Sequence, residues 1–275
     1  YEKIKKLTIG ELREKVLDNM TAGDEILALA RGMSSEVIAA LAKLMGNLDL
    51  MYVSRKLHIT AHCNTTIGLP GTFAVRLQPN HPTDDVKGVT ASLLEGLSYG
   101  AGDAVLGLNP AVDTVKSTAD ILNLFNDVKT RLEIPTQICV LSHITTQIQA
   151  LRQGVPMDLC FQSIAGSEAA LSSFGTDVDM LENANELMAK YSTAEGPNYM
   201  YFETGQGSEL SSSAHNGADQ LVMESRCYGL ARHYSPFLVN TVVGFIGPEY
   251  IYDTKELIRA ALEDNFCGHM HGLPM

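Results

Sequence analysis

The spacing of apolar residues predicts a helical segment at the start of the chain. Apolar positions recur at helical spacing through residues 9–17, and residues 24–45 carry a longer helical pattern that Gly32 interrupts. Residues 47–57 show a further short amphipathic pattern. We therefore expect an N-terminal helical domain over residues 1–70.

From about residue 72 onwards, short β-prone apolar runs alternate with long amphipathic stretches. The apolar runs are residues 73–78, 104–109, 137–142, 159–164, 199–203 and 239–246. The helical patterns that follow them are residues 84–99, 112–132, 145–153, 168–191, 219–234 and 254–266. This alternation predicts an α/β protein whose parallel strands are joined by right-handed helical crossovers.

Two α/β architectures are consistent with this alternation. A doubly wound sheet usually carries a glycine-rich turn after its first strand, and residues 76–80, which end the first run, contain no glycine. A (β/α)8 barrel places functional side chains at the carboxyl ends of its strands. Polar residues close five of the runs, namely Arg76, Gln78, Asn109, Ser142, His143, Gln162, Ser163 and Glu203. The pattern favours a TIM-type (β/α)8 barrel over residues 71–275, incomplete because only about six strand–helix units are present.

Composition and charge make some classes of binding partner unfavourable. The 275 residues are 45% hydrophobic and 19% charged, and the formal net charge is -12. Such an acidic chain disfavours nucleic acids and anionic membranes as partners, and no run of about 18 apolar residues could span a bilayer. The five cysteines are widely spaced without a CxxC pair, which indicates reduced thiols in a cytosol-like compartment.

The polar strand ends are the candidate ligand site. Side chains at the carboxyl ends of neighbouring parallel strands converge on one cavity, and burying them is costly unless they bind each other or a ligand. Arg76, Gln78 and Asn109 are donors, and Glu203 is a carboxylate. This set suits a small polar ligand with a cationic group and a hydroxyl, although a self-satisfied polar network remains the structural alternative. Residues 201–209 carry two glycines after Glu203, and as a phosphate loop they are a weak match because no lysine follows.

The sequence offers little for metal or nucleophilic catalysis. Cys267, His269 and His271 alternate near the C-terminus, but no HExxH or paired-cysteine motif accompanies them, so we expect solvated or packed residues rather than a metal site. The pair His62–Cys63 precedes the first barrel strand, and no strand ends in a lysine. A polar cavity without such groups suggests that a cofactor carries out the difficult step.

Uninterrupted tracts of this sequence resemble the large (catalytic) subunit of ethanolamine ammonia-lyase along essentially the whole chain. The tracts are residues 30–33, 75–82, 107–110, 160–166, 202–208 and 272–275. The resemblance implies a (β/α)8 barrel that uses adenosylcobalamin to convert ethanolamine to acetaldehyde and ammonia by radical chemistry. It also implies a small partner subunit, a higher oligomer and a cytoplasmic location within a bacterial microcompartment.

The resemblance further implies a role for individual residues, by their place in the matching tracts. Arg76 and Asn109 would hold the substrate hydroxyl, Gln78 the amine and Glu203 both, with Leu77 included in the substrate site and with Glu203 and Arg76 as catalytic candidates. The implied cofactor-binding residues are Pro110, Gln162 and Ser211 at the cobalamin, and Ser163 and Val242 at the adenosyl group. The family's further amine-binding aspartate follows the tract 272–275, so we expect these 275 residues alone to be inactive.

Two other readings stay open at this point. The chain could be a non-radical barrel lyase or aldolase, which would need a strand-end lysine or a metal triad. It could also be a non-catalytic binding or assembly module with a pocket at the barrel mouth. Replacing Glu203 by Gln discriminates among the three, because only the radical lyase requires this carboxylate for turnover while keeping cobalamin binding.

Overall fold

The computed structural model describes residues 1–204, 217–241, 245–246, 249–250 and 253–275. The described chain groups into two compact units. Unit 1 comprises Tyr1–Ile59, Ser163–Gly175 and Phe202–Met275, and unit 2 comprises Thr60–Gln162 and Thr176–Tyr201. These two units do not test the predicted domain boundaries, and the division into domains 1–70 and 71–275 stays a prediction. Within the described ranges, no helix is both long enough and apolar enough to cross a membrane.

Helices and short strands alternate along most of the chain. In chain order the helices are α1 (Ile9–Leu17), α2 (Gly23–Ala30), α3 (Ser35–Lys43), α4 (Asn47–Lys56), α5 (Val86–Ser98), α6 (Val115–Arg131), α7 (Ile144–Arg152), α8 (Glu168–Ser173), α9 (Val178–Tyr191), α10 (Gln220–Ala231) and α11 (Thr254–Met270). The strands are β1 (Ala61–His62), β2 (Thr66–Ile67), β3 (Arg76–Leu77), β4 (Val105–Leu108), β5 (Ile138–Val140), β6 (Cys160–Ile164), β7 (Met200–Thr204), β8 (Leu238–Asn240), β9 (Phe245–Ile246) and β10 (Glu249–Tyr250).

The predicted N-terminal helices are confirmed, and local capping explains their boundaries. The Thr8 hydroxyl accepts a hydrogen bond from the Glu11 backbone, and the Glu11 carboxylate accepts one from Thr8 N, which makes a capping box that begins α1. The Ser34 hydroxyl caps α3 by accepting a hydrogen bond from Val37 N. Gly32 lies between α2 and α3, where the sequence pattern places the break.

In unit 1 these helices form a layer with the C-terminal helices. Helix α10 packs against α3 and α11, and α11 also packs against α3 and α4. The Arg259 guanidinium on α11 donates to the carbonyl oxygens of Met45 (2.6 Å) and Ala42 (3.1 Å) at the C-terminal end of α3. The C-terminal helix is therefore tied to the N-terminal helices by charge-assisted hydrogen bonds as well as by apolar packing.

Unit 2 is built around parallel strands. Strands β3, β4 and β5 form a parallel sheet in sequential order, in which Arg76 pairs with Val105 and Leu106 pairs with Ile138. Every residue of β4 and β5 is buried, as expected for a parallel sheet covered on both faces. Helix α6 packs against α5 and α7, and α7 packs against α9. A separate three-stranded sheet has the order β6, β7, β8, and its last strand, β8, belongs to unit 1.

The predicted α/β class with parallel strands is confirmed, and each predicted apolar run contains a strand. Two predicted segments are divided in the structure, and one strand pair was not predicted. The run 239–246 was wrong as one strand, because β8 ends at Asn240 and Phe245–Ile246 belongs to an antiparallel pair with β10. The helical pattern 168–191 is divided into α8 and α9 by a turn in which Gly175 has a φ of 71°. The antiparallel pair β1–β2 was not predicted. The described residues contain no closed barrel.

Candidate functional site

The end of β3 in unit 2 carries the first part of the candidate site. Arg76 and Gln78 are two residues apart, so their side chains leave the same face of an extended chain. The Arg76 Nη2 atom donates to Gln78 Oε1 at 3.0 Å, and Nη1 donates to the Tyr201 hydroxyl. A guanidinium can only donate hydrogen bonds, so it fixes which atom of the Gln78 amide faces it. Leu77 is half-buried on the strand between them, beside Gly96 of α5.

The loop after β4 lies against the loop after β3, also in unit 2. The backbone N–H of Asn109 donates to Asn80 Oδ1 at 2.9 Å. The next backbone donors, Ala111 N and Val112 N, bond to the two carboxylate oxygens of Asp84 at 2.8 and 2.9 Å. Asn80 and Asp84 thus position the segment that carries Asn109, whose side chain is exposed, and Pro110, which is half-buried. Neither Asn80 nor Asp84 was among the predicted site residues, since Asn and Asp ahead of a helix usually serve only as caps.

The ends of β5 and β6 contribute neutral polar groups. The Gln162 side chain is buried, and its Oε1 accepts a hydrogen bond from Ile144 N at 3.0 Å. This bond satisfies one of the backbone donors at the start of α7 and holds the amide in one orientation. The Ser142 hydroxyl, at the end of β5, is buried without a hydrogen-bond partner among the described residues. A buried polar group of that kind is where a ligand or a water molecule is expected.

In unit 1 the predicted carboxylate is held by an amide from the neighbouring strand. Glu203 is half-buried at the end of β7, and Asn240 Nδ2, on β8, donates to Glu203 Oε1 at 3.1 Å. Ser163, at the end of β6, is half-buried. Asn240 was not among the predicted site residues, because the predicted strand 239–246 placed it inside a strand rather than at a strand end.

Three features of the predicted site cannot be placed. Ser211, Val242 and the glycine-containing segment 205–213 all lie outside the described residues. Arg76, Gln78 and Asn109 belong to one unit and Glu203 belongs to the other. The convergence of these four residues on one ligand therefore stays a prediction.

Burial shifts the pKa values of the cysteine and histidine side chains that the sequence offers as other candidate nucleophiles and metal ligands. Burial, followed by the negative charge of Asp158, raises the pKa of the Cys63 thiol to about 12, so that almost no thiolate forms near neutral pH. Burial lowers the pKa of both His269 and His271 to about 4. The described residues contain no cluster of three or more His, Cys, Asp or Glu side chains arranged to hold a metal ion. Cys267 is buried as well, and its pKa is raised well above the usual thiol value by burial.

The strand–helix units, with polar side chains at the carboxyl ends of parallel strands, define an α/β protein, a class in which such strand ends are the usual place for a ligand. The family model described as "Ethanolamine ammonia lyase large subunit (EutB)" matches residues 1–275. Over all 275 residues the chain is 53% identical to the ethanolamine ammonia-lyase large subunit of Salmonella typhimurium LT2 and 52% identical to that of Escherichia coli K12. It covers 61% of the length of each of these relatives. The chain belongs to the ethanolamine ammonia-lyase large subunit family.

Proposed function

We propose that this chain carries most of the substrate site of an ethanolamine ammonia-lyase, the lyase that converts ethanolamine to acetaldehyde and ammonia. Sequence identity above 50% along the whole chain supports the assignment of the activity. The structural observation that carries it is the guanidinium–amide pair at the end of β3, where Arg76 and Gln78 are hydrogen-bonded at 3.0 Å. A two-carbon amino alcohol needs donors for its oxygen and acceptors for its ammonium group, and this pair supplies both.

Each proposed substrate ligand has a role that follows from its chemistry. Arg76 and Asn109 donate to the hydroxyl oxygen, and they stabilise negative charge that builds on that oxygen during the reaction. Gln78 Oε1 already accepts from Arg76, and its second lone pair can accept from the substrate ammonium. Glu203 contacts both ends of the substrate. Asn240 donates a hydrogen bond to Glu203 Oε1 and thereby orients the Glu203 carboxylate.

We propose adenosylcobalamin as the cofactor. The proposed ligands among the described residues are Pro110, Gln162 and Ser163, and the family resemblance adds Ser211 and Val242, which lie outside them. Neutral amide and hydroxyl side chains suit a macrocycle whose edge carries neutral amides. The Ser142 hydroxyl, which follows β5 and is buried without a hydrogen-bond partner among the described residues, is a further neutral group of this kind. When bound, the cofactor supplies radical chemistry from its cobalt–carbon bond. The protein residues hold the substrate, orient it and exclude water.

We further propose that the parallel strands belong to a (β/α)8 barrel. Leu159 N, just before β6, donates to Ile138 O on β5 at 3.2 Å, as expected of neighbouring barrel strands. In unit 1, Val239 N donates to Pro274 O at 2.9 Å, so the segment that follows α11 runs beside β8 where a next strand would lie. The family assignment supports a small partner subunit, an oligomer and a bacterial microcompartment as the setting.

The experiment that tests this function uses the full-length protein with its small subunit and adenosylcobalamin. Wild-type protein is expected to release acetaldehyde from ethanolamine, and Glu203→Gln is expected to lose turnover by at least about 100-fold because one buried charge–substrate interaction is removed. Thermal stability and the visible spectrum of bound cobalamin should be unchanged in this variant. Glu256→Gln, on the exposed start of α11, is the matched control and should retain full turnover.

Two results would contradict the proposal. Absence of aldehyde formation by the complete wild-type complex would refute the assigned reaction. Unchanged turnover by Glu203→Gln would remove this carboxylate from the mechanism.

A further inference from the structure

We propose that Tyr201 is a positioning residue that holds the Arg76 guanidinium in its binding orientation. This inference rests on the proposed function, in which Arg76 donates to the substrate hydroxyl. Tyr201 lies on β7 and Arg76 on β3, 125 positions apart in the sequence, and the two are joined by the hydrogen bond from Arg76 Nη1 to the phenol oxygen. Tyr201 was not among the predicted site residues.

Two acceptors hold the two terminal nitrogens of the guanidinium. The phenol oxygen of Tyr201 accepts from Nη1, and Gln78 Oε1 accepts from Nη2 at 3.0 Å. The guanidinium carbon also lies 5.8 Å from the centroid of the Tyr201 ring, within the range of a cation–π contact. Because the guanidinium is planar, two fixed nitrogens together with the side-chain stem define the plane in which all of its donors lie.

The phenol is itself braced, so it can act as a fixed support. Tyr201 is fully buried, and the Phe161 ring meets it edge-on, with ring centroids 5.3 Å apart and an interplanar angle of 66°. The stem of Arg76 passes over Gly107 of β4, where a Cβ atom would lie 4.0 Å from Arg76 Cδ. The Tyr201 phenol and the Gln78 amide therefore restrict Arg76 before any substrate binds.

This arrangement reduces the entropy that substrate binding costs. A free arginine side chain has many rotamers, and ordering them on binding weakens affinity. With Nη1 and Nη2 already engaged by Tyr201 and Gln78, the guanidinium is oriented in advance of the substrate. Removing the phenol oxygen should therefore weaken substrate binding without changing the charge of the site or the shape of the aromatic core.

The test is Tyr201→Phe in the full-length complex with the small subunit. The dissociation constant of ethanolamine is measured by calorimetry on the cofactor-free complex, and kcat/KM is measured on the loaded complex. We expect both to worsen by about tenfold, the effect of losing one hydrogen bond to a charged group. The matched control is Tyr228→Phe, a fully buried tyrosine whose hydroxyl donates to Glu224 at 3.0 Å, and it should change substrate affinity by less than twofold.

A double-mutant cycle separates positioning from general packing. In an Arg76→Ala background, Tyr201→Phe should leave the dissociation constant of ethanolamine unchanged within twofold, because its target is already gone. An undiminished tenfold effect in that background would overturn the proposal, as would unchanged affinity in Tyr201→Phe itself. Should Tyr201→Phe not fold, Phe161→Leu removes only the brace. About threefold weaker binding would then support the proposal, and unchanged binding would overturn it.

The proposed function and this inference can fail separately. If the wild-type complex does not turn over ethanolamine, the proposed function is refuted whatever the variants do. If the wild-type complex is active and Tyr201→Phe matches it in affinity and kcat/KM, only the role of Tyr201 is refuted.

Discussion

The buried ion pair of Lys129 and Asp158 allows a sharp test of what stabilises unit 2. The Lys129 ammonium, on α6, lies 2.6 Å from Asp158 Oδ2, and the Asp158 side chain is 0% exposed. The same Oδ2 accepts from Ile138 N of β5 at 2.9 Å, and Oδ1 accepts from the Thr193 hydroxyl at 2.6 Å. This carboxylate joins a helix, a strand and the segment after α9. We predict that Lys129→Met destabilises the protein severely.

The magnitude follows from the environment of the carboxylate that is left behind. Removing one partner of a buried pair leaves an uncompensated charge and typically costs about 3–5 kcal/mol. Because the Lys129 side chain is 16% exposed, some water can reach the site, and we expect a value near the lower end, about 3 kcal/mol. For a chain of this length, a loss of that size lowers the unfolding midpoint by about 6–12 °C.

The measurement is urea unfolding followed by circular dichroism, with thermal unfolding as a second reading. Lys116→Met is the matched control on the same helix, since Lys116 lies 2.5 Å from Asp120 but is 85% exposed. That pair should contribute no more than about 0.5 kcal/mol. The double variant Lys129→Met with Asp158→Asn should lose less free energy of unfolding than the two single changes added together, because it leaves no unpaired charge.

Equal effects of Lys129→Met and Lys116→Met would refute this reasoning, since burial is the main difference between the two pairs. A double variant whose loss equals the sum of the single losses would also refute it, because the two charges would then not be coupled.

Two further predictions concern unit 1. The pKa of His271 is lowered to about 4 by burial, so below pH 6.5 the unfolded chain takes up a proton that the folded chain does not, and stability should fall as the pH falls from about 6.5 to 4. Urea unfolding at pH 7 and pH 5 should show a smaller loss in His271→Gln than in the wild type, and an equal loss would contradict this. Gly166→Ala should destabilise by more than about 2 kcal/mol, because its Cβ would overlap the backbone carbonyl of Met223. Gly10→Ala, with open space on α1, should be neutral or stabilising, and equal effects would show that the overlap is relieved at no cost.

Local patterns predicted where the elements lie. Apolar spacing predicted the helical start of the chain, the six strand positions and the helices after them, except that the pattern 168–191 is divided into α8 and α9, because burial on one face imposes a period that short segments reveal. The same rule missed β1 and β2, since two residues are too few to show any period. It also joined β8 to β9, because an apolar run does not show where the chain leaves one sheet and enters another.

The polar strand ends were predictable as a set, since strand ends are where α/β proteins bind ligands. Which groups each of them contacts was not predictable. Tyr201 reads as a core aromatic in the sequence, and only the fold brings it to Arg76. Asn240 reads as the middle of a strand, and only the observed end of β8 brings it to Glu203.

The sequence by itself determined the class of the protein, the positions of its helices and strands, and the residues that resemble a known family. The tertiary structure decided which partners those residues have. Lys129 and Asp158 are 29 positions apart, and Arg76 and Tyr201 are 125 apart. No local pattern connects such pairs, because hydrogen bonds and ion pairs depend on distances in space that exist only once the strands have assembled.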